Sequence, residues 1–130
     1  MAGSNIVIET SVLIEHLRAR AKRKTLFLEA LKVYDCYVSA ITVYEIELGA
    51  QRSGRGSDLM DILPMVIVLP FGQQEAETAA QLDAMLTARN QVIGLRDLFI
   101  AATALVRGWP LCTKNVQHSQ RIPDLHLVTA

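Results

Sequence analysis

The sequence predicts an α/β protein: a three-layer α/β/α arrangement in which helices cover both faces of a mainly parallel sheet of about five strands. Three observations carry that expectation. Short apolar, β-branched runs alternate with longer segments of helical spacing, the order that a parallel sheet with crossover helices requires. The chain has 130 residues, enough for one hydrophobic core and too few for two, so residues 1–130 are expected to form one domain. Hydrophobic residues make up 51% and charged residues 20%, with a mean hydropathy of +0.26, which excludes a disordered chain.

The elements follow in order. Residues 5–8, Asn-Ile-Val-Ile, form a short β-branched run that reads as a buried strand. Thr10 or Ser11 can cap a helix that starts at once and carries Leu13, Ile14 and Leu17. A second helix presents Leu26, Phe27, Ala30 and Leu31, and residues 35–39 read as the second strand. A third helix is expected over about 42–50, then a turn at the Gly- and Ser-rich residues 53–57 and a short helical piece. Residues 65–69 give a third strand ended by Pro70. From 75 to 89 the spacing is helical, with Ala79, Leu82, Met85 and Leu86 facing inward. Residues 96–107 form another helix, almost wholly apolar from Leu98 to Val106; Gly108 stands where a helix ends and Pro110 prevents continuation. Residues 111–113 and 125–128 complete the strands. There is no repeat or low-complexity tract.

Composition narrows the function classes. No apolar run approaches the ~18–20 residues that cross a bilayer, and the N-terminus lacks the pattern of a signal peptide. The expectation is a soluble cytoplasmic protein with no membrane association. Cys36 and Cys112 fall in predicted strands without metal-ligand spacing, so they read as buried free thiols. Formal net charge is zero, whereas a general nucleic-acid binder carries a basic excess. The distribution softens that objection, because Arg18, Arg20, Lys22, Arg23 and Lys24 crowd together. Such a run is either a solvated helix end or a contact for RNA phosphates or a protein partner.

In open parallel sheets, sites form beyond the carboxyl ends of the strands. Glu9 is the first residue past strand one, Glu45 is expected in the first turn of the helix after strand two, Asp97 opens the apolar helix, and Asn115 follows strand four. Clustered carboxylates repel unless a cation or proton intervenes, and hard oxygen ligands favour Mg²⁺ or Mn²⁺ over Zn²⁺. Glu9 and Glu45 each have a structural alternative. Glu9 can be a strand-end acid beside a helix dipole, and residues 42–45, Thr-Val-Tyr-Glu, match a capping box. Asp97 is harder to dismiss: with Ile100, Ala101, Ala104 and Leu105 it shares one helix face. An unpaired carboxylate heading an apolar stripe carries a large desolvation cost.

Four segments together resemble the acidic motifs of the PIN-domain family. They are residues 6–14, with Glu9-Thr10-Ser11-Val12; residues 39–48, with Glu45; residues 93–104, with Arg96-Asp97; and Thr113-Lys114-Asn115-Val116 with Arg121-Ile122-Pro123. They match in order and spacing over nearly the whole chain, and size and layout look most like the VapC toxins of toxin–antitoxin pairs. The resemblance implies a metal-dependent endoribonuclease that hydrolyses RNA phosphodiesters. Mg²⁺, or Mn²⁺ as its substitute, would be held by Glu9, Glu45 and Asp97, with Asn115 as a neutral ligand or a residue orienting water. Thr10, Ser11 and Thr113 would aim carboxylates or touch phosphate, and Arg96 would contact RNA or form a surface ion pair. The implied partners are RNA, a cognate antitoxin protein and a second copy in a homodimer; Leu13, Leu17, Leu26 and Phe27 either line an antitoxin groove or pack on the sheet.

Two departures stand out. The first acid is Glu where the family usually has Asp. The acid and aromatic often found three and four places after Asn115 are here His118 and Ser119. His118 is either a surface residue or a replacement contact to metal or substrate. These departures motivate the alternative of an attenuated PIN scaffold that chiefly binds an antitoxin or RNA. A receiver-type α/β domain fits poorly, since its third strand must end in a phosphoacceptor aspartate and residues 65–69 lead into Pro70-Phe71-Gly72.

Overall fold

The computed structural model describes residues 4–21, 24–54 and 58–129. Five strands form one sheet: β1 (Ser4–Ile8), β2 (Tyr34–Ser39), β3 (Ile67–Leu69), β4 (Leu111–Cys112) and β5 (Leu127–Val128). Their spatial order is β3-β2-β1-β4-β5, and every adjacent pair is parallel. β1 is therefore central, and Ile6, Val7 and Ile8 are completely buried, as a strand covered on both faces demands.

The helices are α1 (Thr10–Arg18), α2 (Leu26–Val33), α3 (Ala40–Ser53), α4 (Gln73–Ala88), α5 (Leu95–Arg107) and α6 (Val116–Ser119). One core joins Ile6 and Ile8 to Val12, Leu13, Phe27, Ile46 and Ile62. On the other side, Val7, Leu69 and Leu111 pack with Ile100 and Ala104 of α5, and α4 meets α5 through Ala79, Leu82, Leu86, Leu98 and Ala101. The three-layer expectation holds. Both cysteines are free and buried, within one core cluster. Burial pushes the Cys36 thiol up to about 11 and Cys112 to about 12, since a thiolate there lacks solvation.

Several boundaries differ from the sequence reading. α3 begins at Ala40, not near 42, because Ser39 is its cap and accepts a bond from the Ile41 N–H at 3.0 Å. Glu45 thus lies in the second turn, and Thr42 is not the cap of a capping box. α1 is capped by Glu9 rather than by Thr10 or Ser11; the Glu9 carboxylate accepts from the Ser11 N–H. β3 is shorter than residues 65–69 because Leu63–Met65, containing Pro64, form a 3₁₀ turn. α6 is a single turn, too short to leave a periodic signal. The C-terminus of α5 agrees: Gly108 adopts φ 70°, where a side chain would be strained. Of the basic run, Arg18, Arg20 and Lys24 are exposed, while Lys22 and Arg23 lie outside the described residues.

Candidate active site

The parallel sheet delivers the chosen residues to one edge. β1 ends at Ile8 and hands Glu9 directly to α1, while β4 ends at Cys112 and leads to Thr113. The register Ile8↔Cys112 sets these two exits side by side, and the Glu9 N–H donates to the Cys112 carbonyl at 2.9 Å. Thr113 Oγ1 then donates to Glu9 Oε1 at 2.7 Å. Ser11 adds its hydroxyl to Oε1 at 2.6 Å and its N–H to Oε2 at 3.0 Å. Glu9 thus serves at once as the cap of α1 and as acceptor for Thr113, just past β4. Glu9 is buried, 7% exposed, and Thr113 is fully buried, so these charge-assisted bonds are shielded from water.

The second carboxylate is held from α1 as well. Thr10 Oγ1 donates to Glu45 Oε1 at 2.7 Å and lies 3.0 Å from Thr42 Oγ1. Thr42 is buried one turn before Glu45, and its role was hidden because its spacing to Glu45 imitates a cap. Arg96 approaches Glu45 Oε2 at 3.8 Å and lies over the Tyr44 ring, 5.2 Å from its centroid. Half-exposed, this ion pair is a weak stabiliser and keeps the guanidinium at the rim. Burial pushes the Glu45 carboxyl above its ordinary range; the Thr10 bond and Arg96 oppose that, and the charges of Asp97 and Glu9 reinforce it. Glu45 therefore senses the charges of both other acids.

Asp97 stands in the first turn of α5, half-buried above Ile100 and Ala101. Gly94 leaves its carboxylate open on that side, since a β-carbon there would lie 3.6 Å from Asp97 Oδ2. His118, left open by sequence, is brought into the cluster by α6: its Nδ1 lies 3.3 Å from Asp97 Oδ2 and 3.1 Å from Asn115 Nδ2. The Asn115 N–H donates to Thr113 Oγ1 at 2.8 Å, so Thr113 links the Asn115 turn to Glu9. Lys114 is a residue the motif reading passed over. Its N–H donates to Ser11 Oγ at 3.2 Å and its ammonium pairs with Glu15 at 2.6 Å.

Chemically, the donor set suits a hard divalent ion: three carboxylates, an amide and an imidazole, with no thiolate. Burial chiefly, and the charges of Asp97 and Glu9 in addition, raise Glu45, and a cation would stabilise carboxylates so placed. The ligands do not stand in a closed cage, however. Among the described residues no three His, Cys, Asp or Glu side chains are grouped tightly enough to hold an ion as they stand. A groove of about 220 Å³ runs from Glu45 between α1 and α3, lined by Ile14, Leu17, Ile46 and Gly49. Leu13 and Phe27, two of the residues offered for a partner groove, are instead core.

The family model described as PIN domain matches residues 6–121, and the chain belongs to that family. Within it, the chain is similar to Ribonuclease VapC of Rickettsia bellii (strain RML369-C), 32% identical over 132 residues that span 95% of each chain. Among solved structures it is similar to VapBC-1 of nontypeable Haemophilus influenzae, with 27% identity, TM-score 0.77, and coverage of 96% of this chain and 97% of that one. VapBC2 of Rickettsia felis, solved bound to a DNA fragment from its promoter, shares the fold with TM-score 0.86 at 22% identity, covering 97% and 98%.

Proposed function

We propose that this chain is a VapC-type endoribonuclease that hydrolyses RNA phosphodiesters with Mg²⁺ or Mn²⁺, and that it acts as the toxin of a toxin–antitoxin pair. One observation carries the reading: Glu9, Glu45, Asp97 and Asn115, from four distant segments, converge beyond the carboxyl edge of the sheet. The kinship with ribonucleases named VapC supports the substrate class. Glu9, Glu45 and Asp97 would hold the ion, with Asn115 beside them. A bound divalent ion supplies charge stabilisation at the phosphate and a more acidic water. The chain's own residues do the rest. Thr10 fixes the Glu45 carboxylate, Thr113 and Ser11 fix Glu9, and Gly94 keeps the approach to Asp97 clear. Arg96, braced on Tyr44, offers a cation to an RNA phosphate at the rim.

A cognate antitoxin is the proposed protein partner, supported by the relatives solved as VapBC complexes; the groove between α1 and α3 mixes apolar walls (Ile14, Leu17, Ile46) with Arg18, Glu45 and Asp58. Homodimerisation is proposed on family grounds. Among the described residues no helix is long and apolar enough to cross a membrane. The test is cleavage of structured RNA with and without Mg²⁺ or Mn²⁺, comparing wild type with Asp97→Asn. Loss of at least ~100-fold in the variant is expected if Asp97 holds the ion; equal metal-dependent activity would sink the site.

One observation favours a second reading, an attenuated scaffold that binds antitoxin or RNA without efficient cleavage. Both Glu9 oxygens already accept hydrogen bonds from the protein, which competes with metal binding. Robust turnover at low enzyme concentration dismisses that reading; Mn²⁺ calorimetry without measurable heat supports it.

A further inference from the structure

We propose that the cleft between the end of α4 and the turn after α6 is a second contact for the RNA strand, holding a backbone phosphate beside the reacting one. This rests on the reading that the chain cleaves RNA. The cleft has a volume of about 450 Å³ and is lined by Arg89, Gln91, Gln120, Arg121 and Pro123: two permanent cations, two amides and no acid. Arginine stays charged at any working pH and its planar fork matches a phosphate. Glutamine amides offer donors and acceptors to sugar and base edges. By contrast, Arg96 is shared with Glu45 at 3.8 Å and Lys114 with Glu15 at 2.6 Å. Among the described residues no carboxylate stands within ion-pair distance of Arg89 or Arg121.

Position favours the substrate strand over an acidic protein segment. The Arg121 N–H donates to the His118 carbonyl at 3.2 Å, and the His118 ring meets Asp97 at 3.3 Å, so the cleft begins one turn of chain beyond the acid cluster. On the other flank Arg96 leans toward α3, over Tyr44 and beside Glu45. A strand crossing Asp97 would meet a cation on each side. The cleft is also preformed. Arg121 Nη1 donates to the Val92 carbonyl at 3.0 Å, which ties the turn after α6 to the loop before α5; the other N–H groups of the fork remain for a ligand. Beneath, Ile93 and Ile122 are buried in one cluster. The Gln91 N–H closes on the Leu86 carbonyl at 2.8 Å across Asn90, whose φ is 56°. Cations on so fixed a base lose less entropy on binding than cations on a free loop.

Salt dependence of RNA binding tests this without reference to turnover. The probe is a labelled single-stranded RNA of about 12 nucleotides, followed by fluorescence anisotropy over a series of KCl concentrations, with Ca²⁺ in place of Mg²⁺ to suppress cleavage. Each phosphate contact to a single strand contributes about 0.7 to the slope of log affinity against log salt. Arg89→Gln is therefore expected to lower the slope by about 0.7, and Arg89→Gln with Arg121→Gln by about 1.4. If affinities converge at 1 M salt, those slopes correspond to about fivefold and about 25-fold weaker binding at about 0.1 M. Arg121→Lys, which keeps the charge, is expected to retain the slope. Arg52→Gln removes the same net charge from the exposed end of α3 and is expected to leave it unchanged. Arg89 has no described partner, so its replacement cannot act through a lost internal bond. Wild-type RNA binding with an unchanged slope in both Arg89→Gln and the double variant overturns the subsite alone and leaves the cleft to a protein's carboxylates. An equal loss in Arg52→Gln overturns it as well, since net charge then explains the effect. No RNA binding by the wild type in Ca²⁺ or Mg²⁺ overturns the ribonuclease reading and the subsite together.

Discussion

Replacing Thr113 with valine isolates the contact that ties the two ends of the candidate site together. Thr113 is fully buried, and valine keeps its shape, so no cavity term enters. Two hydrogen bonds are lost: the 2.7 Å bond to Glu9 Oε1 and the 2.8 Å bond from the Asn115 N–H. A bond to a buried charged acceptor is worth about 1.5–3 kcal/mol, and a neutral backbone bond about 0.5–1.5 kcal/mol. Asn115 is partly exposed and water can replace part of the second. The expected loss is about 2–3 kcal/mol, which for a chain of this size lowers Tm by about 6–12 °C. Thermal unfolding gives the first reading, and a double-mutant cycle with Glu9→Gln gives the coupling, expected at about 1 kcal/mol or more. Nuclease activity should fall with it, because Glu9 loses one of its two hydroxyl anchors. A Tm within about 2 °C of wild type, with additive effects in the cycle, would falsify the claim that Thr113 and Glu9 act as a unit.

Other outcomes follow from groups away from the site. Burial alone would raise the Glu75 carboxyl, but bonds from its own N–H and that of Gly72, and from Arg107 at 2.9 Å, hold it below its ordinary value. A depressed carboxyl adds stability above the unfolded value, and this is lost as pH falls through the folded one. Arg107→Met is therefore expected to cost about 2–3 kcal/mol at pH 7, short of a fully buried pair because the arginine is a fifth exposed. Urea unfolding should show the difference shrinking below about pH 4 as Glu75 protonates; a pH-independent difference contradicts the pairing. For the thiols the sign is reversed. With Cys36 raised to about 11 and Cys112 to about 12, the unfolded chain releases protons first, so stability declines as pH rises above about 9. Ellman's reagent at pH 8 should leave both thiols untouched in the native protein and titrate both in guanidinium; rapid native reaction of either one refutes its burial.

The layers of the fold were legible because buried strands and amphipathic helices impose different periods. Asp97 was legible for the same reason, as a carboxylate at the head of an apolar stripe. Glu45 stands one turn farther into its helix than the sequence suggests. Ser39 and Thr42 are both good caps by residue type, and only the backbone decides that Ser39 takes the role while Thr42 turns inward to Thr10. The capping function of Glu9 was masked by the better-known capping residues after it, Thr10 and Ser11. Ser11 in fact donates to Glu9, and Thr10 serves Glu45. His118 could not be placed, because α6 is one turn long and the approach to Asp97 spans 21 residues of sequence.

The bond between Glu9 and Thr113 bridges 104 positions, and β4 is added beside β1 only after β2, β3 and five helices have been made. During translation the first carboxylate emerges almost at once, yet its anchoring hydroxyl leaves the ribosome near the end. A chain cut short before Thr113 has only Ser11 to hold the Glu9 side chain. Chain order therefore acts as a timer on the site: early release or proteolytic clipping before Thr113 yields a fragment with an incomplete centre.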